Sequence, residues 1–597
     1  MAIPLGLGKP NAFVNALYAR VKADASLRLE MYTALSLARP HGSGDLERRF
    51  LKPFADRVYG DYEELAYLRD LRARQMPANI SVSEFFFQPG SQLNSPYAQQ
   101  HYISSNYTHV ARDLNARGVN VIAQMVACCD GRYSLACNPE VTLDLLPLMQ
   151  QRREQGEPVM MVGQVQHDLP FMGHDAEVSA SAFDALIDEP AANKTLFSVP
   201  NMPVSLQDHC IGLHASLLVR DGGTLQIGIG SLGDALAHHL LMRHQQGDRY
   251  RQLVNQLALP AAARSLVMRE GGDAPFKQGL YGCSEMVTEA MLALLKGAVI
   301  QRRVQPGNVL LHGGFFLGSR AFYQALRDLT DDERDAIHMT RISDVNHLYG
   351  DESLKREQRQ HARFINTIFT ATLMGAGVAD QLDDGRVLSG VGGQYNFVSQ
   401  AHELADARSI LLLRSWRERS NEAASNIVWQ YAHATIPRHL RDIVVTEYGI
   451  ADLRGKNDRE VIEAMLSIAD SRFQAGLIRE AQAAGKLPAD YQLPEHCRQN
   501  TPARLQALAV GHEGCFPEFP LGCDFDAVEQ QLLAALRWLK AKAQPRYYLE
   551  LGRRVVSEAD AAGREPHLAR MGLQQPANLR QRLARSLLLA ALAATGQ

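Results

Sequence analysis

Residues Asp221–Leu236 read DGGTLQIGIGSLGDAL. Thr224-Leu225-Gln226-Ile227 has the character of a strand, Gly228-Ile229-Gly230 makes a tight exit, and a helical run follows. A strand that feeds a helix through a glycine turn is a building unit of parallel α/β domains. The same rhythm extends in both directions. Upstream, the apolar runs Val119–Val126 and Val159–Val162 read as buried strands with a helical segment, Asp144–Gln155, between them. Downstream, strand candidates are Thr224–Ile229, Val309–Leu311, Phe364–Thr370, Ser409–Leu413 and Ile443–Val445. The pattern predicts an α/β protein with largely parallel sheets flanked by helices.

At 597 residues the chain exceeds one ordinary domain. The hydrophobic fraction of 46% and charged fraction of 21% fit a soluble protein with a sizeable core. With Lys+Arg 62 against Asp+Glu 65, the net charge of -3 gives no global pull toward nucleic acid or an anionic membrane. The opening stretch to about Arg74 reads as helical and charged. A proline-bearing stretch near Pro190–Pro203 suggests a junction, and the character changes again near Pro488. The expected plan is an N-terminal α/β domain over 1–200, a catalytic α/β domain over 201–490 and a mostly helical extension over 491–597. Eight scattered cysteines without a Cys-x-x-Cys pair fit reduced thiols in a cytoplasmic protein. Met1–Gly8 lacks the pattern of an export signal, and the apolar run Ser586–Ala594 is far too short for a bilayer span.

Glu285 stands in Gly282-Cys283-Ser284-Glu285-Met286. Val287, Ala290, Met291, Leu294 and Leu295 share a helical face after it, and Gly297 supplies a stop. Ser284 reads as an N-cap, which places Glu285 in a first helical turn, where the dipole favours the ionised carboxylate. Such a carboxylate, ordinarily of pKa about 4.3, is a nucleophile that needs no partner base. The same placement also suits an acidic residue that merely complements the dipole. Between the glycine turn and Glu285, the polar helical stretch Arg243–Gln278 is long for a connection and suits a lid or an oligomer contact.

Gly228, Gly230 and Gly233 also satisfy G-x-G-x-x-G, the dinucleotide pattern. That reading needs an acidic residue about twenty positions on at the end of a strand. Asp248 instead lies in a polar, helix-like stretch, so a nicotinamide oxidoreductase is left as a reading without its second half. A second cluster, Ser389-Gly390-Val391-Gly392-Gly393-Gln394, lets backbone amides approach a ligand and suits an oxyanion site or an ordinary tight loop. His238, His239 and His244 share one helix without a His-Glu-x-x-His pattern and are expected to be solvated, while His496, Cys497, His512 and Cys515 are irregularly spaced. No metal site is expected. Cys283 reads as a packed thiol without a neighbouring base.

Four segments in order resemble one family. Asp221–Leu236, Gly282–Gly297, Ser389–Ala401 (SGVGGQYNFVSQA) and Asp442–Gly455 (DIVVTEYGIADLRG) are similar to motifs of the acetyl-CoA hydrolase/transferase family, the Cat-type branch of class I CoA-transferases. The similarity covers roughly residues 100 to 490. It implies two domains of CoA-transferase type, with Glu285 as the nucleophile toward an acyl-CoA thioester. It further implies that the backbone at Ile229 and Gly230 and in the loop Gly390, Val391, Gly392 and Gly393 stabilises the oxyanion and holds CoA. Asn346 matches an asparagine beside the thioester, and Glu447 a second carboxylate that organises the site. The implied activity is acyl-CoA:carboxylate CoA-transfer by ping-pong through a glutamyl-CoA thioester. Hydrolysis of an acyl-CoA by the same glutamate, or a silent CoA-binding protein, are the alternatives. The implied partners are acyl-CoA and small carboxylic acids, with CoA as a cosubstrate, no tightly bound cofactor, no nucleic acid or membrane, and a homodimer. Asn396 stands where family members often carry aspartate, and Asn366–Thr372 also departs from the family pattern.

Overall fold

The computed structural model describes residues 1–419, 422–541 and 562–596. The chain divides into two compact units. The first comprises Met1–Leu37, Glu63–Arg417 and Ala424–Leu521, and it contains two large sheets.

The first sheet is built from β1 (Ala2–Leu5), β2 (Leu29–Ala34), β3 (Ile80–Glu84), β4 (Val121–Cys129), β5 (Arg132–Ser134), β6 (Met160–Val165), β7 (Glu177–Val178) and β8 (Ala185–Ile187). Strands run parallel in the order β3-β2-β1-β4-β6-β8, and β5 and β7 add antiparallel pairs beside β4. The near-continuous burial of Met31, Ala34, Ile122, Ala123, Val126, Met161 and Val162 is what a sheet covered on both faces requires. The opening stretch, expected to be helical, supplies β1 and β2 of this sheet as well as the helix Asn11–Ala23. Its strands are short pieces embedded among charged helical residues, so helical composition dominates the local reading.

The second sheet contains β9 (Thr224–Ile227), β10 (Tyr281–Val287), β11 (Leu311–Phe316), β12 (Ile337–Met339), β13 (Arg363–Thr367), β14 (Arg408–Leu412), β15 (Ile443–Thr446) and β16 (Gly449–Asp452). Their order is β12-β11-β10-β9-β13-β14-β15-β16, parallel throughout except for the closing antiparallel pair β15–β16. The chain enters at β9, winds outward through β10, β11 and β12, then returns to the other side of β9 with β13. That reversal is a topological switch point, and ligands of open parallel sheets bind beyond the carboxyl ends of the strands there.

Buried charge closes the opposite edge. Arg408 at the start of β14 donates to Asp442 at 2.6 Å and to Asp452 at 2.5 Å, and Arg363 at the start of β13 donates to the Leu218 carbonyl at 2.9 Å. The helices Gly247–Gln256 and Ala261–Glu270, which make up the long connection before Glu285, pack inward: Tyr250 Oη lies 2.7 Å from Ser216 Oγ, and Glu270 pairs with Arg408 at 3.1 Å.

The second unit gathers 38–62, 418–423 and 522–597. Its helices Asp45–Tyr59, Ala527–Ala541, Glu565–Arg570 and Leu579–Ala594 bury Phe50, Leu532, Leu539, Leu588 and Leu592 together. The helical extension expected toward the C-terminus is present here, and its stretch 542–561 lies outside the described residues. Five of the eight cysteines are buried. Among the described residues no helix is long and apolar enough to cross a membrane.

Candidate active site

Glu285 does not begin a helix. It is the fifth residue of β10, and the helix starts only at Glu289, with Thr288 rather than Ser284 in the N-cap position and Gly297 in the C-cap position. Parallel pairing holds the strand on both sides: Tyr281 and Gly282 pair with Thr224 and Leu225 of β9, while Ser284 and Met286 pair with Gly313 and Phe315 of β11. The expected apolar helical face is real in Ala290, Met291 and Leu294, all buried. Val287 shares its spacing but belongs to the strand, which is why the periodicity extends one turn too far.

The registers place Glu285 level with Gly228 at the end of β9 and with Gly314 in β11. Both neighbours lack side chains. A Cβ on Gly314 would lie 2.9 Å from the Glu285 carbonyl oxygen. Glycine here lets a neighbouring element approach the glutamate strand closely.

The Glu285 carboxylate is held by two donors. Asn346 Nδ2 donates to Oε2 at 2.7 Å, and the Gly393 amide also donates to the carboxylate. Burial pushes the carboxyl up to about 7, and the Asn346 and Gly393 hydrogen bonds pull against that rise. The side chain is therefore not the freely ionised carboxylate expected of a helix N-terminus. Its site is a desolvated one, and the two donors are what favour its charged form.

The loop Ser389–Gly393 fits between the sheets of the first unit. The Phe87 amide donates to the Ser389 carbonyl at 3.0 Å, and the Tyr107 amide to the Gly392 carbonyl at 3.3 Å. A Cβ on Gly390 would lie 2.7 Å from the Phe85 carbonyl, so glycine is required for this approach. Gly392 adopts φ +58, in the left-handed region. A Cβ on Gly393 would lie 1.9 Å from Glu285 Oε2 and 2.5 Å from Asn346 Nδ2. Val391 is half-buried within the same turn. The second glycine cluster thus meets Glu285 directly.

Asn346 closes the short helix Ile342–Asn346 and is fully buried. Its carbonyl accepts from Gln400 Nε2 at 2.7 Å, and Arg359 bonds to the Gln400 side-chain oxygen. Asn346 Oδ1 is buried without a partner among the described residues. The first glycine turn lies at the same sheet edge. Ile229 is 53% exposed there, and Gly230 has φ +93. A Cβ on Gly233 would lie 2.2 Å from the Gly228 carbonyl, which shows how tightly the following helix seats on the turn.

Glu447 does not join this group. It follows β15, which is separated from β10 by β9, β13 and β14, or about 19 Å at ordinary strand spacing. Its carboxylate accepts from the Ser415 amide at 2.9 Å, Ser415 Oγ at 2.7 Å and Gln207 Nε2 at 2.6 Å, and burial raises its pKa. Adjacent Arg414 pairs with Asp208 and reaches Ser231 Oγ at 3.1 Å, at the base of the glycine turn. Glu447 therefore braces the β14 exit, from which Arg414 reaches the turn.

The other residues singled out in the sequence lie as follows. Asp248 lies in the first turn of a helix and pairs with Arg251, so no strand-end carboxylate follows the G-x-G-x-x-G turn. Among the described residues no group of three or more His, Cys, Asp or Glu is arranged to hold a metal. His239 is buried rather than solvated, with His209 Nδ1 3.3 Å away, and His238 bonds the Cys515 carbonyl at 3.1 Å. Cys283 is buried in the core. Asn366 exchanges side-chain amide hydrogen bonds with Gln226 across β9 and β13 at 3.1 and 3.2 Å. Asn396 is buried, and its Oδ1 has no partner among the described residues. Sequence reasoning missed Gly314 and also the buried group in which Tyr107 Oη and Asn138 Nδ2 donate to Glu140 Oε1, in the first half of the chain. The Gly313-Gly314 pair was a usable signal, whereas the other three carry none by themselves.

The two-sheet α/β fold is shared with a 4-hydroxybutyrate CoA-transferase from Porphyromonas gingivalis, with a TM-score of 0.53, covering 81% of this chain and 94% of that one at 19% identity. RipA from Yersinia pestis superposes with a TM-score of 0.60, covering 82% of this chain and 94% of that one at 18% identity. In sequence, residues 318–481 match the acetyl-CoA hydrolase/transferase C-terminal domain, a segment that includes Asn346, Gly390–Gly393 and Glu447. The 4-hydroxybutyrate coenzyme A transferase of Clostridium kluyveri is 23% identical over 325 residues, 54% of this chain and 64% of that protein. The match thus spans just under two thirds of that relative. The succinyl-CoA:cyclohexane-1-carboxylate CoA transferase of Geobacter metallireducens is 23% identical over 375 residues, 62% of this chain and 72% of that protein. Residues 318–481 thus carry a C-terminal domain of the acetyl-CoA hydrolase/transferase family.

Proposed function

We propose that this protein is an acyl-CoA:carboxylate CoA-transferase with Glu285 as its nucleophile. The observation that carries the reading is the Glu285 carboxylate itself, pinned by Asn346 and Gly393 beside the switch point of a parallel sheet. A partly desolvated carboxylate loses little solvation on attack, and its fixed direction replaces a chance encounter with an oriented one. The Glu285 oxygen attacks the thioester carbonyl, the C–S bond breaks, and CoA leaves as thiolate with a mixed anhydride behind it. The thiolate attacks the glutamyl carbonyl and releases the first acid as its carboxylate. The resulting glutamyl-CoA thioester then transfers CoA to a second carboxylate by the reverse steps.

The names of the relatives support small carboxylic acids as the substrate class. The glycine turn at Ile229 and Gly230 is the proposed seat of CoA and oxyanion contacts, since it borders Glu285 at the edge where ligands of such sheets bind. The domain plan of 1–200, 201–490 and 491–597 accompanies this reading. The test is to supply butyryl-CoA with acetate and follow acetyl-CoA and free CoA together. Parallel lines in double-reciprocal plots with acetyl-CoA as product support transfer. Release of free CoA at a rate indifferent to acetate assigns hydrolysis instead, and no turnover of any acyl-CoA leaves a silent CoA-binding protein.

A further inference from the structure

A second carboxyl is buried beside Glu285 and has no part in the steps above. Glu140 opens the helix Glu140–Glu154 and is 1% exposed. Its Oε1 accepts from Tyr107 Oη at 2.8 Å and from Asn138 Nδ2 at 2.9 Å. Asn138 is itself fixed, because its Oδ1 accepts the Gly8 amide at 2.8 Å. Glu140 Oε2 is buried and has no partner among the described residues. Gly314 lies between the two residues: a Cβ there would lie 2.9 Å from the Glu285 backbone carbonyl oxygen and 3.4 Å from Glu140 Cβ.

Among the described residues no cation comes within ion-pair distance of the Glu140 carboxyl. The ammonium that faces it, Lys9, is spent on backbone carbonyls, donating to Ala34 at 2.6 Å, Leu35 at 3.1 Å and Gly6 at 3.4 Å. A buried carboxylate without a paired cation is costly, and the group keeps its proton instead. Two buried carboxyls, one of which feels the other's charge, cannot both ionise easily.

We infer that Glu140 is a positioning residue that stays protonated beside Glu285, so that the nucleophile is the single ionised carboxylate awaiting the thioester. The inference rests on the reading of Glu285 as nucleophile. A neutral Glu140 spares Glu285 a second negative charge, and it spares the incoming acid the same repulsion. The groups around it are consistent with this division. Burial pushes Glu140 up to about 8, with the Glu285 charge acting in the same direction and the Asn138 and Tyr107 hydrogen bonds opposing it. Burial also raises the Tyr107 phenol and the Cys137 thiol, so both remain neutral, and it lowers the Lys9 ammonium to about 7 against the pull of Glu84 and Glu140.

The experiment compares the full-length wild type with Glu140→Gln, which keeps the shape and the neutral charge. Thermal midpoints of both are measured from pH 5 to 9, and kcat/KM for CoA transfer over the same range. An acid whose pKa is raised on folding loses stability as pH climbs from its unfolded value toward its folded one. The midpoint of Glu140→Gln should therefore rise relative to wild type as pH increases from 5 to about 8 and then level off. Wild-type kcat/KM should fall above about pH 8 by up to tenfold per pH unit, and that fall should be missing from Glu140→Gln. A midpoint difference independent of pH, or an alkaline limb shared by both proteins, overturns the inference. The stability readout needs no turnover, so it still decides the inference if the transfer reading itself fails.

Discussion

Asn346 Nδ2 and Glu285 Oε2 stand 2.7 Å apart, joining a short helix to the adjacent strand of the second sheet. The asparagine is immobilised behind by Gln400, which takes its carbonyl, so the donor reaches the carboxylate from a fixed position. This hydrogen bond favours the charged form of Glu285 where burial favours the neutral one.

Replacing Asn346 by alanine should therefore cut kcat/KM about 10- to 100-fold, the range for a hydrogen bond to a charged group. The acid limb of the pH profile should also move upward from about 7, because the pull that lowers the Glu285 pKa is lost. Initial rates from pH 5 to 9 check both effects. A lower rate with an unmoved limb would mean that Asn346 acts elsewhere.

Gly393→Ala should cost about 100-fold or more in kcat with little loss of stability. The backbone at Gly393, φ -98 and ψ 4, is open to alanine, but the new Cβ would lie 1.9 Å from Glu285 Oε2. Displacing a reacting group by about an ångström is enough for a loss of that size. Steady-state rates and a thermal melt, run side by side, separate misplacement from unfolding.

Glu285→Gln should be inactive and yet more heat-stable than wild type at neutral pH. The folded pKa of Glu285 is raised to about 7 from the ordinary 4.5, so its contribution is fully present below about pH 4.5 and is lost as pH rises through 7. The two midpoints should converge near pH 5 and diverge to a constant gap above pH 7. Calorimetry across that range reads the gap directly.

Much of the second sheet could be read in the sequence because its strands are apolar runs between amphipathic helices, as at Phe364, Ser409 and Ile443. Glu285 was recognisable from the motif around it, but its secondary structure was not. Pairing with β9 and β11 decides that Ser284 and Glu285 are strand, and pairing partners lie 57 and 29 positions away in the register. Glu447 was legible as a motif residue, but its distance from Glu285 follows from strand order alone. Glu140 shows the same limit. Its neighbours Tyr107 and Asn138 are ordinary in sequence and become informative only once Gly314 lets the glutamate strand approach.

Arg408→Met should destabilise the protein by about 3 kcal/mol without touching the active site, because Asp442 is buried and loses one of its two guanidinium partners. Arg408 begins β14, at the opposite end of the strands from the Glu285 carboxylate. Urea denaturation followed by circular dichroism gives the loss. A midpoint unchanged from wild type would mean that Arg454 alone satisfies Asp442.

The most direct measurement is mass spectrometry of the protein after incubation with an acyl-CoA and treatment with borohydride, following the peptide that contains Glu285. The expected result is a CoA adduct on that peptide before reduction and a glutamate side chain converted to an alcohol after it, both missing from Glu285→Gln. An unmodified Glu285 peptide in protein that is turning over acyl-CoA would contradict the covalent role of this residue.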